Sequence, residues 1–199
     1  METAVIRRII VAASLLLALP LTALAAPVTV AGVKYDDSSQ VGPSKLVLNG
    51  AGLRSKAIFK VYTAALYLPA KATTTEAVIA QPGAKRMHIV MLREINAAEL
   101  GKLFARGMED NAPRDEFSKS VAGVLTMSDI FFQYKKLSAG DYFTADWVPG
   151  TGTVISVNGK PAGQPIKEPE FYSALLKIWL GKSPADTLLK EGLLGHLND

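Results

Sequence analysis

Apolar side chains recur along this chain with a period that changes, and each change marks an element. Val28 to Tyr35 is short and β-prone, and a polar turn from Asp36 to Ser39 follows it. Lys45-Leu46-Val47-Leu48 reads as a strand and Asn49 to Gly52 as a glycine turn. Leu53 to Leu68 is rich in β-branched and aromatic residues, which suit a pleated surface. That stretch is too long for one ordinary strand, so a bend or bulge is expected near Lys56 to Phe59. Pro69 ends it, and Thr75 to Ala80 is a short helical segment. In Lys85 to Arg93, Met87, Ile89 and Met91 share one face, while His88, Val90 and Leu92 share the other. Apolar residues on both faces predict a strand covered on both sides.

The period then lengthens to that of a helix. Asn96 and Glu99 stand as N-cap and N3 before Leu100, Leu103, Phe104 and Met108, an amphipathic helix with a capping box. Pro113 opens a second helix, whose expected buried stripe is Phe117, Val121, Val124 and Leu125. Asp141 to Val148 and Thr153 to Val157 form a strand pair, and Asn158-Gly159 turns into a closing strand expected near Ile166. Pro169 begins a third helix with Phe171, Leu175, Ile178 and Trp179 on one stripe and Tyr172, Leu176 and Leu180 on the next. Two apolar stripes predict deep burial. Gly181 ends this helix, and Pro184 starts a short one with Leu188 and Leu189. Strands, helices, strands and helices in that order describe one α+β domain, an antiparallel sheet with helices on one face.

The first residues follow another logic. Arg7 and Arg8 precede an apolar run from Ile9 to Leu24 that ends in Ala23-Leu24-Ala25. A positive start, a short apolar segment and an A-x-A site describe a secretory signal peptide over 1–25, leaving 26–199 as a single domain, periplasmic or secreted. No later apolar stretch is long enough to span a membrane once the signal is removed. The formal charge is +4 without any run of Lys or Arg, so a nucleic-acid footprint is absent. The chain has no cysteine and two histidines, His88 and His196. Thiolate chemistry is excluded, a histidine metal site is not expected, and nothing calls for a cofactor. His88 reads as a hydrogen-bonded strand histidine, and no G-x-S-x-G elbow signals a serine hydrolase.

Several stretches carry a resemblance. Asn49-Gly50-Ala51-Gly52-Leu53-Arg54, then Phe59-Lys60-Val61-Tyr62-Thr63-Ala64-Ala65-Leu66-Tyr67-Leu68, then Ser173-Ala174-Leu175-Leu176 with Trp179-Leu180-Gly181, stand in the order and spacing of the chalcone isomerase-like family. Asn158-Gly159-Lys160 adds a likeness to its exported bacterial branch. The resemblance implies an open-faced β-sandwich, a large antiparallel sheet against a helical layer with an apolar cleft between them. Members include plant enzymes that close a flavanone ring, fatty-acid-binding relatives and exported bacterial proteins.

Ring closure needs a guanidinium near the phenolate and donors near the ketone. The resemblance puts Arg54 at the family's arginine and Tyr62 at its catalytic threonine, with Thr63 one residue on. It puts Asp110 at the asparagine, with Asn111 beside it. Leu103 stands where the enzymes have a tyrosine and Ile178 where they have a late threonine. An arginine without ketone donors is an anion clamp, because its planar fork pairs with any carboxylate or phenolate. The expected activity is therefore binding of a small apolar or acyl ligand with an acidic group, through Arg54, Tyr62, Thr63, Asp110 and Asn111. The alternatives are an isomerase acting on a phenolic enone through Arg54 and Tyr62, and a module whose sheet face docks an envelope protein. Each candidate also has a bland role: Asp110 and Asn111 precede Pro113, where such residues commonly cap helices. Tyr62 and Thr63 are strand neighbours, so at most one of them can face a cleft.

Overall fold

The computed structural model describes residues 27–197, and the proposed signal segment lies outside them. A hairpin of β1 (Val28–Val30) and β2 (Val33–Tyr35) comes first, followed by β3 (Ser38–Val41). The expected polar turn at Asp36–Ser39 is thus shorter, because Ser38 and Ser39 already pair with Val47 and Leu46. The long apolar stretch folds back on itself. Ser44–Lys56 (β4) and Phe59–Leu68 (β5) pair antiparallel across Ala57-Ile58, with Ala57 at a φ of 52°. The bend expected near Lys56 to Phe59 is a full reversal.

The glycines of Asn49 to Gly52 make no turn. They lie inside β4, with a bulge between Leu48 and Gly50. Their place is explained by close approach: a Cβ on Gly50 would stand 2.1 Å from the carbonyl oxygen of Gly192. A backbone must pass there, so a side chain cannot.

Helix α1 (Thr75–Ala80), strand β6 (Lys85–Met91) and the short β7 (Ile95–Asn96) follow. Helices α2 (Ala97–Asn111) and α3 (Arg114–Gln133) are consecutive, and α2 begins at the expected cap, where the Asn96 side chain accepts from the Glu99 N–H at 3.0 Å. Then come β8 (Lys136–Leu137), β9 (Tyr142–Val148), β10 (Gly152–Val157) and β11 (Lys160–Pro161). Helices α4 (Pro169–Leu180) and α5 (Thr187–Leu193) end the fold. The closing strand is therefore β11 rather than a strand near Ile166, which makes a single bridge to Thr153. Asp186 caps α5, whose first residue, Thr187, comes three residues later than the start expected near Pro184.

Seven strands form one antiparallel sheet in the order β11-β10-β9-β6-β5-β4-β3. One face carries Tyr62, Leu66, Met87, Ile89, Phe143 and Ile155 against the helices; the other carries Tyr67, with Val90 partly buried, beneath β1 and β2. This is the expected α+β open-faced sandwich. Both stripes of α4 are buried, as their pattern predicts. Helix α3 departs from expectation: it buries Ser120, Gly123, Val124, Met127, Ile130 and Phe131, while Val121 and Leu125 are exposed. At Gly123 a Cβ would stand 2.6 Å from both Ile166 and Phe171, so α3 approaches the layer below along Gly123 and Val124 rather than along Val121.

Candidate functional site

Arg54 and Tyr62 are direct partners across β4 and β5. Opposite residues of a strand pair share a face, so both side chains turn toward the helices. The Arg54 Cζ lies 6.0 Å from the Tyr62 ring centroid, and its Nη1 donates to the Ser55 carbonyl at 3.0 Å. Asp186 ties this edge to the helical layer. One carboxylate oxygen accepts from the Ser55 N–H and the other from the Leu189 N–H, each at 3.0 Å.

Between the β4–β5 hairpin, α2 and the α4–α5 connection lies a cleft of about 510 Å³. Val61, Leu100, Leu103, Phe104 and Ile178 make its walls apolar, and Arg54, Lys56, Arg93 and Arg106 face Glu94, Glu99 and Asp110 around it. That volume lies within the range of small-molecule sites. Buried Tyr62 accepts a hydrogen bond from Trp179 Nε1 at 2.8 Å, and Phe104 meets the Trp179 ring edge-on at 5.4 Å. Burial pushes the Tyr62 phenol up to about 12, against the opposing pull of the Trp179 N–H and the Arg54 charge. The phenol is therefore neutral at ordinary pH. Because its oxygen accepts from Trp179, its own hydrogen is directed elsewhere. An apolar cleft with a guanidinium and a neutral phenol on one strand pair can hold an anion at one end of an apolar body.

The other expected site residues separate. Asp110 lines the cleft edge, where its carboxylate lies 3.6 Å from Arg106. Asn111 is a brace: its Nδ2 donates to the carbonyls of Gly107 and Ser183, both at 2.9 Å, and its Oδ1 accepts from the Ser183 N–H at 2.8 Å. These bonds hold the end of α2 to the loop after α4; Asn111 does not line the cleft, and it does not cap α3 either, whose N-cap is Pro113 without a side-chain bond. Thr63 is on the opposite face of the sheet, its hydroxyl 2.7 Å from that of Tyr35. The period of two along β5 excludes it from the cleft.

Sequence reasoning missed Phe59, Arg93, Phe104 and Trp179. A usable signal existed for Trp179, since a buried indole N–H needs an acceptor. Arg93 and Phe59 meet only through the fold, with the guanidinium 4.8 Å from the ring centroid. His88 also differs from expectation. Its Nε2 is buried without a hydrogen-bond partner among the described residues, and its ring sits between Tyr35 and Tyr142 at 5.5 and 5.1 Å. Strand alternation turns it to the outer face, where aromatic edges surround it in place of acceptors.

Among the described residues, no three His, Cys, Asp or Glu side chains gather as metal ligands, and no helix is long and apolar enough to cross a membrane. A family model described as chalcone isomerase-like matches residues 27–195. The chain is similar in structure to a fatty-acid binding protein of Arabidopsis thaliana, with a TM-score of 0.63 and 15% identity, over 82% of this chain and 92% of that one. At that identity the likeness is one of fold. A search of curated proteins finds no match.

Proposed function

Because the chain belongs to the chalcone isomerase-like family, we propose that its sheet–helix cleft binds a small apolar molecule with an acidic group, of the fatty-acid class, without transforming it. The observation that carries this reading is the pairing of Arg54 with a buried, neutral Tyr62 at an apolar cleft. The carboxylate would take the fork of Arg54 and the O–H of Tyr62, and the acyl chain would lie along Leu100, Leu103, Phe104 and Ile178. Each methylene removed from water contributes about 0.8 kcal/mol, so a chain of ordinary length drives binding even if the head group breaks even. The similar Arabidopsis thaliana protein is described as fatty-acid binding, which supports the same ligand class here.

The reading as a binder rather than an enzyme rests on the walls. Leu103 and Ile178, which the family resemblance sets where the plant enzymes carry hydroxyls, both line this cleft. Neither can donate to a developing oxyanion, so the stabilisation that ring closure needs is not supplied from those positions.

Calorimetric titration of dodecanoic acid and dodecanol tests the assignment. The unmodified protein should prefer the acid, and Arg54→Met should lose that preference, roughly ten- to a hundredfold for a charged hydrogen bond, while keeping its dependence on chain length. Arg54→Lys should lose part of it, since an ammonium offers no bidentate fork. Equal affinities for acid and alcohol, or binding of neither, would refute it. We propose further that the chain is exported and cleaved after Ala25; N-terminal sequencing of envelope material should begin at Ala26, and an intact Met1 in a cytoplasmic pool would refute that.

A further inference from the structure

The tip of the β4–β5 hairpin stands largely outside the core. Ile58 is 88% exposed and its neighbour Phe59 is 54% exposed, two large apolar side chains side by side at the end of a two-strand projection. Lys56 and Lys60 flank them, and no acidic residue occurs between Ser55 and Thr63. Arg93 adds a third cation, stacked on the Phe59 ring at 4.8 Å. The adjacent Glu94 is paired with Lys136 at 2.7 Å, and the other acids around the cleft, Glu99 and Asp110, belong to α2 rather than to the hairpin.

An apolar point inside a basic collar matches the chemistry of one surface, the headgroup boundary of an anionic bilayer. Apolar side chains enter the acyl boundary there while lysines and arginines stay among the phosphates. A solvent-exposed Ile58 gains nothing in water, and the surrounding cations disfavour a basic partner. We infer that the hairpin tip Lys56–Lys60 is a docking element that seats the protein on an anionic lipid surface. Phe59 and Lys56 also line the cleft, so a seated tip places the cleft's rim at the membrane. This last step rests on the fatty-acid reading above: an acyl chain would pass between bilayer and cleft without crossing bulk water.

Flotation of the ligand-free protein with vesicles tests the docking separately from the cleft. The protein should float with phosphatidylglycerol-containing vesicles and not with pure phosphatidylcholine ones, and raised salt should weaken the binding. Ile58→Glu and Lys60→Glu change exposed tip residues that do not line the cleft. Each should reduce affinity for the anionic vesicles by roughly fivefold or more and leave dodecanoate affinity in solution unchanged. Flotation without dodecanoate binding would sustain the docking and remove the cleft reading. Absence of flotation, or flotation indifferent to Ile58→Glu, would overturn the docking. So would a dimer in sedimentation velocity that Ile58→Glu dissolves, since the tip would then be covered by a second copy.

Discussion

Asn49 shows how much one polar side chain can organise. It is fully buried at the bulge of β4, and its Nδ2 donates to the carbonyls of Ala72 and Leu193 at 2.9 and 2.7 Å. Its Oδ1 accepts from the Ala72 N–H at 2.7 Å. One amide thus joins β4, the loop before α1 and the end of α5, segments far apart in sequence. Replacing it with alanine leaves a buried N–H and two carbonyls without partners, each costing about 1–3 kcal/mol before relaxation. Asn49→Ala should therefore lower stability by about 2–4 kcal/mol, read as a shift of the urea midpoint at unchanged slope. Tyr62 is constrained in the same manner. Tyr62→Phe orphans the Trp179 N–H and should cost about 1–3 kcal/mol, while also weakening acid binding if the phenol contacts the carboxylate.

At the scale of elements, the decisive contact is that of α5 on β4. The two meet backbone to backbone: a Cβ at Gly192 would stand 2.6 Å from the Ala51 carbonyl oxygen, just as one at Gly50 would strike Gly192. No side chain can shift to relieve these clashes. Gly50→Ala should therefore displace α5 and cost at least the ~1–3 kcal/mol typical of overpacking. Because Asp186 caps α5 and also holds Ser55 beside Arg54, the variant should lose ligand affinity as well as stability. Calorimetry and chemical denaturation on the same preparation check both, and an unaltered dodecanoate affinity would separate α5 from the site.

For the whole molecule, buried ionisable side chains limit stability at both ends of the pH scale. On the outer face, burial and the nearby Arg86 charge push His88 down from 6.5 to about 4. The unfolded chain takes up this proton near pH 6.5 while the folded one resists it, so stability is full above 6.5 and falls as pH drops toward 4. His88→Phe keeps an aromatic ring between Tyr35 and Tyr142, removes the unpartnered nitrogen and should flatten this limb. On the alkaline side, burial raises Tyr62 and Tyr67 from 10.0 to about 12, and Tyr35 and Tyr172 are also raised. Unfolded tyrosines ionise near pH 10 before folded ones do, so stability is full below 10 and declines from there toward 12. Urea midpoints across pH 4–12 should show a plateau between these limits.

What the sequence determined by itself is what rests on local rules. The period of apolar positions, the Asn96 cap, the prolines opening α3 and α4 and the alternation along β6 depend on neighbours within a few residues, and they were legible. So was the kinship of the chain as a whole, through motif order. Tertiary structure decided everything that needed a second segment to define it. Asn49 to Gly52 looked like a turn because glycine is permissive, yet the constraint is α5 arriving from about 140 residues away. Val121 and Leu125 looked buried because they are apolar, yet α3 turns Ser120, Gly123, Val124 and Met127 to the layer below, with Gly123 at the closest approach. Thr63 and Asn111 left the cleft because strand alternation and a brace to Ser183 direct them elsewhere. Phe59 and Arg93 entered its lining because a hairpin reversal and the end of β6 meet in space. Local pattern sets which residues can be buried or exposed; only the packing of distant segments sets what they face.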